Sequence, residues 1–138
     1  MKQEDKDLLL RDLCARLPYG VKCYKMTFKP ELAEEVICML RNGSHNCVQL
    51  GTFLYRLEHI KPYLFPLSSM TEEQKKESPF ESSLLNAFIN GYISLFEDEE
   101  LAIGDVVRML EWLNKNHFDY RGLIERGLAI DCTNLNIY

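Results

Sequence analysis

Asn42-Gly43 lies between two runs rich in apolar and β-branched residues, 36–40 and 47–54. An Asn-Gly pair accepts the left-handed backbone of a type I′ turn, whose twist matches that of two antiparallel strands. The dipeptide therefore points to a β-hairpin in the first half of the chain. With 42–43 as the loop, Cys38 would stand opposite Cys47 at a non-hydrogen-bonded position, where Cα atoms are about 4.5 Å apart. A disulfide fits that spacing. The register stays open, because both faces of each arm carry apolar residues and the loop could extend over 41–46. The five cysteines are an odd number, no Cys-x-x-Cys pair occurs, and no export signal is evident. Reduced thiols are the expectation, with neither a zinc ribbon nor a thioredoxin-like motif.

Residues 4–17 read as a helix, with Leu9, Leu10, Leu13, Cys14 and Leu17 as its apolar stripe and Pro18-Tyr19-Gly20 as its end. Residues 21–28 read as a strand whose Lys22 and Lys25 suit a sheet edge, closed by Lys29-Pro30. Residues 55–67, punctuated by Pro62 and Pro66, read as an extended segment crossing the sheet. The aromatics Tyr19, Tyr24, Phe28, Phe53, Tyr55, Tyr63 and Phe65 gather in this half and are expected mostly in its core.

Thr71 and Gln74 have the spacing of a capping box, opening a short helix that stops before Ser78-Pro79. Residues 71–82 are also the best candidate for a mobile linker. Further on, Leu84, Leu85, Phe88, Ile89, Tyr92, Ile93 and Phe96 predict a helix over 83–96, and the acidic run 97–100 a solvated loop. A second helix should start near Asp105 as its cap, with Val106, Leu110, Leu113 and His117 on one face. Asn116-His117-Phe118 then reads as a tight helix–helix connection. Asp119 would cap a short helix over 120–125, with Gly127 as a left-handed stop. The fold class is α+β: an N-terminal helix plus a small antiparallel meander, SH3-like in one version, followed by a helical half. At 138 residues the chain is one domain, with lobes at 1–70 and 83–138.

The net charge of −5, with 16 basic residues dispersed among 21 acidic ones, disfavours phosphate-backbone binding. The charged N-terminus runs into only three leucines and no stretch is long enough for a membrane span, so the cytoplasm is the expected compartment. His45 and His59 have no second ligand at metal-binding spacing, and no phosphate loop or catalytic signature occurs; neither metal nor cofactor is implied.

The densest group of functional-looking side chains lies within 112–129. Trp112, His117, Tyr120 and Arg121 are the candidate binding residues, and in a catalytic reading His117 would be a base and Arg121 an anion clamp. The competing structural reading has Asp119 capping, Arg121 paired with a carboxylate, and His117 and Tyr120 filling the junction. The runs Asp12-Leu13-Cys14-Ala15-Arg16-Leu17-Pro18-Tyr19-Gly20, Lys61-Pro62-Tyr63-Leu64 through Ser68-Ser69-Met70-Thr71, Trp112-Leu113-Asn114, His117-Phe118-Asp119-Tyr120-Arg121-Gly122-Leu123-Ile124 and Gly127-Leu128-Ala129 carry a resemblance. In them the chain resembles a group of small proteins of Bacteroides-group gut bacteria and their phages and mobile elements. About half the chain is covered, while 21–55 and 80–108 are more individual. The resemblance implies kinship and a phage or mobile-element setting, and it transfers no catalytic residue. The expected function is a non-enzymatic interaction module with a protein partner. The alternatives are a small enzyme with a site near His117 and Arg121, or a self-associating structural protein.

Overall fold

The computed structural model describes residues 1–26, 33–96 and 101–138. Thr27 to Pro30 of the expected first strand and its breaker, and the acidic run 97–100, lie outside the described residues. The fold is α+β. Helix α1 (Gln3–Arg16) lays Leu9 and Leu13 on a sheet built from β1 (Lys22–Lys25), β2 (Glu34–Asn42), β3 (His45–Leu50), β4 (Phe53–Arg56) and β5 (Ile60–Pro66). The leucines join Val21, Val36, Val48, Leu50, Leu57 and Ile60 in the first core. Cys14 is exposed rather than part of the buried stripe. Asp12 and Arg16 take the interior positions beside Leu9 and Leu13 instead.

The strand order is β4-β3-β2-β1-β5-β6, with β7 also on β5. β1 is therefore an inner strand, not an edge. Its lysines are accommodated because their charged ends reach partners: Lys25 Nζ meets Glu34 at 2.6 Å, and Lys22 Nζ donates to the carbonyl of Ile137 at 2.9 Å. The sheet is also not purely antiparallel. β6 (Phe118–Asp119) and β7 (Ile130–Asp131) add to β5 in parallel, in the registers Phe65↔Phe118 and Tyr63↔Ile130.

The β2–β3 hairpin forms one residue later than 42–43. Its loop is Gly43-Ser44, with Asn42 opposite His45. Gly43 has φ of +63°, whereas neither Asn42 nor Ser44 has a positive φ, the pattern of a type II′ loop with glycine first. This register sets Met39 opposite Val48 and Val48 opposite Tyr55 on the core face. The loop at 42–43 would have set Met39 against Asn46. Cys38 now faces Gln49, Cys47 faces Leu40, and all five cysteines are free thiols.

In place of one extended segment over 55–67 the chain makes the end of β4, a 3-10 turn at Leu57–His59, and β5. The Thr71 capping box forms as the sequence indicates. Gln74 N donates to Thr71 Oγ1 at 3.2 Å, and Thr71 N to Gln74 Oε1 at 2.9 Å, opening α2 (Glu72–Glu77). Residues 71–82 then anchor to the helical half, because Phe80 is buried edge-on against Phe88. Helix α3 (Ser82–Ile89) is shorter than predicted, stopping at Ile89 rather than at Phe96. It ends at Asn90, where Gly91 turns left-handed, and Tyr92 and Phe96 are exposed rather than on a core face.

Helix α4 (Ile103–Lys115) starts three residues early, with Ala102 rather than Asp105 at the cap position; Asp105 sits in the first turn beside Arg108. α3, α4, β6, Met70 and Phe80 enclose the second core. Among the described residues no helix is long and apolar enough to cross a membrane. Phe80→Ala should cost about 3–5 kcal/mol in chemical denaturation. A loss below about 1 kcal/mol would show that 71–82 is not anchored through this ring.

Candidate functional site

The C-terminal segment is organised by backbone reversal rather than by a second helix. After α4, His117 adopts φ of +61°, alone among the described non-glycine residues in the left-handed region. The chain thereby turns from helix into β6, so 116–118 is a helix–strand connection and His117 lies beyond the helix face. The carbonyl of His117 accepts from Phe65 N at 2.8 Å, fixing β6 onto β5.

The expected helix over 120–125 is a succession of turns, because Gly122 at φ of +74° breaks helical continuity. Asp119 still acts as a cap for this loop. Its Oδ1 accepts from Leu123 N at 3.0 Å and Arg121 N at 3.3 Å, and its Oδ2 from Ile124 N at 2.9 Å. Leu123 and Leu128 then close a third small core with Leu64 and Ala129, and Gly127 is left-handed as expected.

Beneath this loop lies a buried polar junction. Asp12 and Arg16, one helical turn apart on α1, are both fully buried and paired at 2.8 Å. Arg16 Nη2 also donates to the carbonyl of Phe118 at 2.6 Å, so α1 holds β6 directly. The second Asp12 oxygen forms an ion pair with Arg121 Nε at 3.3 Å. Arg121 Nη2 reaches the Tyr120 hydroxyl at 3.3 Å, and that hydroxyl donates to Asn114 Oδ1 of α4 at 2.8 Å. Both guanidinium groups lie near the Tyr120 ring, 5.2 Å from its centroid for Arg16 and 5.0 Å for Arg121. α1, α4, β6 and the loop are thus linked through one polar cluster centred on Asp12.

His117 sits at the side of this junction. Its ring stacks on Tyr138 with centroids 3.7 Å apart and planes 11° from parallel. The Tyr138 hydroxyl donates to the carbonyl of Tyr63 and accepts from Lys22 N, both at 2.9 Å. Burial, reinforced by the positive charges of Arg16 and Lys22, pushes the imidazole down to a pKa of about 4. At neutral pH it is an uncharged, weakly basic ring, and its Nδ1 has no hydrogen-bond partner among the described residues. Burial also raises the Tyr138 phenol well above its ordinary value.

The four sequence candidates thus lie together, but inward. Trp112 is half-buried and stacked on Phe118 with centroids 5.6 Å apart; His117 is buried; Tyr120 and Arg121 are half-buried. A shallow cavity of about 340 Å³ beside the segment is lined by Leu67, Ile89, Asp119 and Tyr120, and a neighbouring one of about 240 Å³ by Ile89, Phe96 and Tyr120. His117 and Arg121 line neither. Among the described residues no group of three His, Cys, Asp or Glu side chains could hold a metal ion. Asp12, Arg16, Asn114 and Tyr138 were not singled out from the sequence. The i,i+4 spacing of Asp12 and Arg16 on one helix face was the available signal. Set beside protein-family models, curated proteins and solved structures, the chain matches none of them.

Two outcomes follow from the junction. Asp12→Ala leaves the buried Arg16 and the half-buried Arg121 without their carboxylate and should cost about 3–5 kcal/mol in urea unfolding. A cost under 1 kcal/mol would mean that the pair is not buried as described. For His117 the folded state resists a proton that the unfolded chain accepts at the ordinary value near 6.5. The unfolded state therefore binds more protons between pH 6.5 and about 4, and stability falls as pH drops through that window. His117→Phe should flatten the stability–pH slope there by roughly one proton. An unchanged slope would show His117 to be solvated.

Proposed function

We propose that the chain is a non-enzymatic protein-interaction module, a cytoplasmic accessory protein of phages or mobile elements. The carrying observation is where the side chains point. Asn114, Asp119, Tyr120 and Arg121 are bonded within the fold and His117 is buried beside them, while large apolar side chains stand exposed on β2 and β4, Ile37, Leu40, Phe53 and Leu54 among them. A base with a pKa of about 4, pressed against Tyr138 and outside both neighbouring cavities, offers a substrate little. Exposed apolar surface on a small sheet is, in contrast, what a protein partner covers. In the manner of SH3-like modules, such a sheet grips a partner through a few aromatic and aliphatic side chains. The phage setting rests on the resemblance in the runs within 12–20, 61–71 and 112–129 alone.

Affinity purification of the tagged chain from a Bacteroides-group host, under native conditions, tests this reading. It should retain a specific protein at near-stoichiometric amount. Recovery of nothing beyond the untagged control would overturn it.

A further inference from the structure

We propose, resting on the interaction-module reading, that the free edge of β4 takes an extended segment of a partner protein as an added strand. That segment carries a carboxylate two residues from an apolar side chain. Among the described residues, β4 pairs with β3 on one side and ends the sheet on the other. Proteins guard such an edge with shortness, charge (lysine above all), proline or a covering element, and β4 has the first and, in Arg56, a single charge. Phe53-Leu54-Tyr55-Arg56 contains neither lysine nor proline, and Phe53 is 66% and Leu54 47% exposed. Strand addition at an edge supplies main-chain hydrogen bonds for affinity and alternate side chains for specificity.

The charge distribution selects the occupant. All 21 acidic residues lie outside 36–56, and the formal charges inside that stretch are Arg41 and Arg56. Neither arginine forms an ion pair among the described residues. Glu58, two positions after Arg56, is engaged by Lys6. The pairings Leu40↔Cys47↔Arg56 and Gln49↔Leu54 put Arg56 on the outer face with Leu54. An added strand would therefore meet a cation and an apolar side chain two residues apart on that face, with Phe53 on the other. A second copy pairing β4 to β4 brings no carboxylate to Arg56, so the acid-bearing segment of a different protein fits better.

A random dodecapeptide library displayed on yeast, selected against the full-length chain, tests the proposal. Enriched peptides should share an Asp/Glu-x-apolar pattern, and their binding should protect the amides of 53–56 from hydrogen exchange. Arg56→Glu and Leu54→Asp should each weaken binding at least tenfold, with circular dichroism and melting temperature unchanged. Replacing the peptide's acid by lysine should restore binding to Arg56→Glu. Failure of the library to enrich, peptides without an acid, indifference to both substitutions, or protection elsewhere would overturn the β4 assignment. The underlying reading is separable. A partner that still co-purifies with the Arg56→Glu/Leu54→Asp chain would end the β4 proposal and leave the module standing, whereas no partner for the unaltered chain would end both.

Discussion

A fully buried carboxylate must find positive charge, and Asp12 finds it twice. Each oxygen faces a guanidinium, Arg16 from its own helix and Arg121 from the C-terminal loop. Because Arg16 in turn holds the carbonyl of Phe118, the need of one side chain on α1 fixes where β6 can lie. Once β6 is placed on β5, the loop that follows is held by Asp119, and β7 reaches β5 in parallel. The chain's two halves are thus joined by a shared sheet and a shared ion cluster rather than by apolar contact alone.

Such a junction contributes more to uniqueness than to net stability. Taking three charges out of water costs several kcal/mol per ion, and the mutual attraction repays it only with good geometry. An apolar replacement of similar volume would hold the same space but would not dictate which carbonyl or which loop sits there. The same inward turning explains the character of His117. A ring excluded from water beside two cations stays neutral, and stacking on Tyr138 uses its face.

Local chemistry was legible in the sequence where it is decided locally. The Thr71–Gln74 box, the capping role of Asp119, the left-handed Gly127 and the helix carrying Leu9 and Leu13 each depend on residues within a turn or two. The hairpin was legible as a hairpin, but its register was settled by Met39 meeting Val48 and Tyr55, which are tertiary neighbours. Lysines on β1 suggested an edge because their partners, Glu34 and the Ile137 carbonyl, come from elsewhere in the chain. The apolar residues after Ile89 continued a helical period past a glycine that ends it. Asp12 and Arg16 were hidden for the same reason: a charged pair on an amphipathic helix is ordinarily on the solvent side. Parallel pairing of two-residue strands leaves no periodic trace at all.

The central claim is that 112–129 is part of the folded framework, locked by the ion cluster around Asp12. Native-state hydrogen exchange at the amides of Phe65, Leu123 and Ile124 tests it most directly, since these donate to the His117 carbonyl and the Asp119 carboxylate. The account predicts that all three exchange only through global unfolding, with the denaturant dependence of the whole chain. Exchange of Leu123 and Ile124 through a low-energy local opening, independent of denaturant, would contradict it and return the segment to the status of a mobile surface site.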